Sequence, residues 1–107
     1  MGKPRSAAVI KEFSRLDQIL QFFPARNLKA DYLTLSPGEK MGAHQTLSRP
    51  EVIGVLQGIC WVVVDTEVYK LKKGEMICVP RGQTCNVYNR NKLRCKIIFI
   101  RSKISVE

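Results

Sequence analysis

The residues able to do chemistry at neutral pH are few. His44 is the single histidine of the 107-residue chain. It is the one side chain whose ordinary titration falls near physiological pH, which suits proton transfer or metal ligation. A lone buried histidine is otherwise a hydrogen-bonded core residue. Glu51 follows seven residues later, and together the two could serve as a general acid–base pair for epimerisation or lyase chemistry. Glu51 could instead lie exposed at a strand start or pair with Arg49. The four cysteines, Cys60, Cys78, Cys85 and Cys95, form no Cys-x-x-Cys pair, which argues against a zinc ribbon or a dithiol redox motif. Cys60, Cys78 and Cys95 lie in apolar runs and read as buried, reduced thiols of a cytoplasmic protein.

Composition narrows the function classes. A length of 107 residues suits one domain, and 45% hydrophobic with 25% charged residues is ordinary for a globular chain. No run reaches the ~18 apolar residues of a membrane helix. The start, Met1-Gly2-Lys3-Pro4-Arg5-Ser6, lacks the apolar segment of a secretory signal and matches only the loose myristoylation pattern. Residues 1–8 are expected to be a flexible terminus. The net charge is +9 and the pI about 9.7, which suits an anionic partner. The basic residues are dispersed, however. Their densest groups are Lys70, Lys72 and Lys73, then Arg90, Lys92, Arg94 and Lys96. No aromatic alternates with them along the chain as a stacking platform would require. Nucleic acid is therefore not the expected partner, and a small anion is.

These residues must be positioned by strands. Phe13, Leu16, Ile19, Leu20 and Phe23 recur at helical spacing before Pro24, with Ser14 as a cap and Asp17 three residues on. This predicts a short N-terminal helical turn, with Val9–Phe13 as an alternative edge strand. From Ala30 onward the pattern is β. Apolar runs at Tyr32–Leu35, Val52–Leu56, Ile59–Val64, Glu67–Leu71, Met76–Val79, Thr84–Tyr88 and Lys96–Arg101 are separated by Gly, Pro, Asp and Asn. Short strands with a turn signal every 8–12 residues or so predict an all-β sandwich or barrel.

Two stretches carry a more specific pattern. The first reads Gly38, five residues, His44, one residue, Thr46, four residues, Glu51, six residues, Gly58. The second reads Gly74, five residues, Pro80, one residue, Gly82, two residues, Cys85, three residues, Asn89. Together they resemble the two motifs of the cupin superfamily, spanning 38–58 and 74–89 within a single domain of residues 1–107. The resemblance implies a cupin-type jelly-roll β-barrel, usually dimeric, with the motifs facing each other around an interior pocket. Gly58 and Gly74 suit hairpin turns requiring positive φ, and Pro80-x-Gly82 a tight turn. Period-two alternation puts His44 and Thr46 on one strand face.

The resemblance also implies a metal site, and here the chain departs from the family. The positions that hold His, His, Glu and His in cupins are here His44, Thr46, Glu51 and Cys85. A threonine hydroxyl is a poor ligand. A Cys85 thiolate would favour zinc, iron or copper, giving a three-ligand site of His44, Glu51 and Cys85 with an open position. Cys85 could equally be an apolar filler where a histidine was lost. Three functions follow. The first is a metal-poor barrel binding a small anionic molecule, with Arg49 or Arg81 near the mouth as counter-charges. The second is a cupin enzyme, an isomerase or epimerase, an oxygenase or a lyase, using His44, Glu51 and Cys85 with metal or His44 and Glu51 without. The third is a dimeric interaction or sensor module.

Overall fold

The computed structural model describes residues 8–11, 28–46 and 50–102. Nine strands follow in order: β1 (Ala8–Lys11), β2 (Leu28–Leu35), β3 (His44–Gln45), β4 (Glu51–Gln57), β5 (Ile59–Val64), β6 (Glu67–Lys72), β7 (Glu75–Val79), β8 (Thr84–Tyr88) and β9 (Cys95–Ser102). Five form an antiparallel sheet in the order β1-β7-β4-β9-β2, and four form a second in the order β3-β8-β5-β6. The expected strands from Tyr32 onward are all present. The edge-strand alternative near Val9 is met by β1, which pairs with β7. The expected helical turn and Arg49 lie outside the described residues.

The two sheets enclose one apolar core, to which Ile53, Val55, Val62, Ile77, Val87 and Ile97 contribute fully buried side chains. β5 alternates strictly, with Cys60, Val62 and Val64 buried and Ile59, Trp61 and Val63 turned outward and half-buried. That is the pattern of a strand with one face on the core. β4 is buried on both faces from Glu51 to Val55, which accounts for its unbroken apolar run.

The glycine turns differ from expectation in kind. β4 and β5 belong to different sheets, as do β6 and β7. Gly58 (φ 83°) and Gly74 (φ 90°) are therefore corners at which the chain passes from one sheet to the other, not hairpin turns within a sheet. The Gly58 corner is tight: a Cβ there would lie 2.7 Å from the Arg94 carbonyl oxygen. The true hairpin is β5–β6, turning at Asp65 with φ 54°. The outer ends of the two motifs also meet. Gly38 N–H donates to the Asn89 carbonyl at 2.8 Å, and Asn89 N–H to the Glu39 carbonyl at 2.9 Å.

Candidate functional site

A pocket of about 310 Å³ opens at one end of the barrel. Its wall combines the loop Met41–Ala43 and His44 with Glu51 of β4, Phe99 and Arg101 of β9, and Asp31 of β2. Register explains the assembly. Glu51 lies opposite Arg101 across the β4–β9 pair, and Asp31 lies opposite Phe99 across β2–β9. Directly opposed residues present their side chains on the same face of a sheet. His44 comes from the other sheet, where it pairs with Cys85.

The polar centre is compact. His44 Nε2–H donates to Glu51 Oε1 at 2.8 Å, since an ionised carboxylate can only accept. Arg101 Nη1 stands 4.0 Å from Glu51 Oε2. The carboxylate is nearly buried, with its side chain 7% exposed, whereas His44 is 32% and Arg101 40% exposed. Both cationic or proton-carrying groups thus keep a face toward the opening. Asp31 is turned to solvent and stands 3.9 Å from Lys29 Nζ. Apolar surface comes from Met41 and Phe99, which pack against the core. The Phe99 ring stands edge-on to His44, 6.5 Å between centroids.

The two remaining motif positions are used otherwise. Cys85 is fully buried among the core side chains. Burial first, and the charge of Glu51 second, push its thiol up to about 12, so it holds its proton at neutral pH. β3 ends at Gln45, so the alternation that would align Thr46 with His44 stops short. Thr46 instead fastens the end of β3 to the Pro80–Gln83 turn. Its hydroxyl donates to the Pro80 carbonyl at 2.7 Å and accepts from Gln83 N–H at 3.0 Å. Its backbone adds Thr46 N–H to Gln83 O and Gly82 N–H to Thr46 O.

These donors do not fit the metal that cupins often carry. Cys85 is sealed in the core, the threonine oxygen is committed to a turn, and His44 Nε2 is hydrogen-bonded to Glu51. Among the described residues, no three His, Cys, Asp or Glu side chains converge as a metal site.

Of the sequence candidates, the fold brings His44 and Glu51 into contact. Arg81 is exposed in its turn and does not line the pocket; Arg101 is the cation at that place. Arg101, Phe99 and Met41 were not expected there. The signal for Arg101 was its position at the end of an apolar strand, two residues after Phe99 and so on the same face, but only the register with β4 places it beside Glu51.

The model of the cupin domain matches residues 31–101, about two thirds of the chain. No curated protein matches. Among solved structures, the cupin domain of Schizosaccharomyces pombe Cnp3 superposes with a TM-score of 0.67 at 20% identity, over 71% of this chain and 52% of its own. A cupin 2 conserved barrel domain protein from Salinispora arenicola gives 0.66 at 18% identity, over 76% and 69%. Drosophila melanogaster CENP-C, solved bound to CAL1, gives 0.64 at 23% identity, over 68% and 60%. The chain thus spans only about half the length of the Cnp3 structure, and at these identities the likeness speaks for the fold. Two facing antiparallel sheets, both motifs joined at their ends and the match over residues 31–101 place this chain in the cupin domain family.

Proposed function

We propose that this barrel binds a small organic anion in the pocket of His44, Glu51 and Arg101, without a metal. The observation that carries the reading is Arg101, a half-exposed guanidinium at the pocket beside an apolar surface of Phe99 and Met41. A guanidinium offers paired N–H donors that match a carboxylate, and His44 stands close enough to add a third donor when protonated. The volume lies at the low end for ligand pockets, which favours a small molecule. The net charge of +9 favours attraction of anions at a distance.

The test is thermal denaturation in EDTA against a panel of aliphatic and aromatic carboxylates and sugar phosphates. A ligand at a hundred times its dissociation constant adds about 2.7 kcal/mol. The shift is expected to vanish in Arg101→Gln and to persist in Arg81→Gln. A panel without any shift, or a shift unchanged in Arg101→Gln, rejects the reading.

The bond from His44 to Glu51 favours a second reading, acid–base catalysis. A buried carboxylate orients the imidazole, and the half-exposed ring can exchange a proton with a bound substrate. Loss of turnover in both His44→Gln and Glu51→Gln would support it, and full turnover in either variant would remove it. A twofold pairing of barrels, common in folds with open sheet edges, is part of the proposal and is checked by light scattering.

A further inference from the structure

The outer face of the four-stranded sheet carries an arrangement that no reading along the chain reveals. Trp61 on β5 lies opposite Lys70 on β6 and opposite Tyr88 on β8. Tyr88 in turn bridges to Lys40. Strand by strand, one row therefore runs Lys70, Trp61, Tyr88, Lys40. Lys70 Nζ stands 5.6 Å from the Trp61 ring centroid, and Lys40 Nζ stands 5.9 Å from that of Tyr88. A neighbouring row sets Val68 against Val63. Trp61, Val63, Val68, Tyr88 and Arg90 line a depression of about 410 Å³, and Val68 is 57% exposed. The outward-facing positions of β5, β6 and β8 include Lys70 and Lys72, and the one exposed carboxylate on these strands is Glu67 at the start of β6, on the opposite parity.

We propose that this face binds single-stranded nucleic acid. Trp61 and Tyr88 stand side by side on paired strands and offer ring surface to unpaired bases once Lys70 and Lys40 swing from the ring faces to meet the phosphates. A pI of about 9.7 is the charge balance such binding needs. A second copy of the chain is disfavoured, because two apposed faces would set Lys40, Lys70 and Arg90 against their own kind on chains of net charge +9. An acidic peptide would satisfy the cations and leave the paired rings without a partner.

Trp61 is the single tryptophan, so its emission reports on the face directly. A fluorescein-labelled thymidine oligonucleotide of about a dozen nucleotides is titrated at low salt, with emission and anisotropy read together. Binding is expected to quench Trp61. The logarithm of the association constant is expected to fall with the logarithm of salt by about 0.7 per phosphate met, hence about 3 for Lys40, Lys70, Lys72 and Arg90. Trp61→Ala is expected to weaken binding by about 5- to 150-fold. Lys70→Gln and Lys40→Gln, at exposed positions that leave the core intact, are expected each to reduce the salt slope. Three results overturn the proposal: no quenching by the oligonucleotide, equal displacement by poly-glutamate of matched charge, or a concentration-dependent dimer that itself shifts Trp61 emission. The second would point to an acidic protein partner and the third to self-association.

Discussion

Replacing Thr46 by valine keeps the size of the side chain and removes its hydroxyl, which isolates the contribution of the clasp between the end of β3 and the Pro80–Gln83 turn. Thr46 is 3% exposed, so water cannot readily substitute. The lost bond to the Pro80 carbonyl costs about 0.5–1.5 kcal/mol, and leaving the Gln83 N–H without this acceptor costs about 1–3 kcal/mol more. Thr46→Val should therefore lose about 1.5–4.5 kcal/mol. Thr46→Ser keeps both hydrogen bonds and loses one methyl, worth about 0.8 kcal/mol. For a domain of this size the valine variant should melt at least about 6 °C lower. The assay is urea and thermal unfolding followed by Trp61 fluorescence, with and without EDTA. The difference between variants should be the same in both buffers, since hydrogen bonds and not an ion hold the turn. The reasoning fails if the valine variant melts with wild type, if serine and valine lose equally, or if EDTA alone reproduces the loss.

Alkaline pH tests the buried thiols. Burial, with Cys95 and Cys85 nearby, pushes Cys60 up to about 12, as burial and then Glu51 do for Cys85. Above the ordinary value of 9.0 the unfolded chain gives up these protons and the folded chain does not. Stability is thus fully present below pH 9 and falls toward about 12, by about 1.4 kcal/mol per pH unit for each thiol. Denaturant melts across that range should show a shallower slope in Cys85→Ala; an identical slope would contradict the burial argument. Asn89 is 1% exposed, donates to the Leu35 and Leu93 carbonyls and accepts from Asn91 N–H. Asn89→Ala should lose about 2–4 kcal/mol, read as a drop in the urea midpoint at constant slope. Gly58→Ala meets both a φ of 83° and the Arg94 carbonyl, and should cost about 2 kcal/mol or more in the same assay, whereas Gly38→Ala, with open space around it, should lose less.

Much of the barrel was legible because its signals are local. Strand lengths, the positive-φ glycines and the spacing from Gly38 to Asn89 all lie within short windows of chain. What escaped depends on partners across strands. Gly58 and Gly74 were recognisable as turns, but nothing in the neighbouring residues says whether a turn closes a hairpin or passes to the opposite sheet. Arg101 joins Glu51 only through the β4–β9 register, and Trp61 meets Tyr88 only through β5–β8. Aromatic and basic residues do adjoin in this protein, with Lys70 and Lys40 flanking Trp61 and Tyr88 across the strands, where no reading along the chain can find them. Thr46 could be seen to be a poor ligand. Its actual role required knowing that the turn after β7 sits against it.

The Thr46 clasp also bears on how this barrel can change over generations. A position that had merely lost its histidine would be free to regain it by a single substitution. Position 46 is not in that condition, because its side chain now closes a turn contributed by residues 80–83. A histidine arriving there would have to release that turn before it could reach the pocket, and its proposed partner at position 85 is sealed in the core. Each step toward a four-ligand centre would therefore lower stability before conferring any new chemistry. The changes open to this barrel are those at Arg101, Phe99 and Met41, which alter the lining of the pocket while the fastening stays in place.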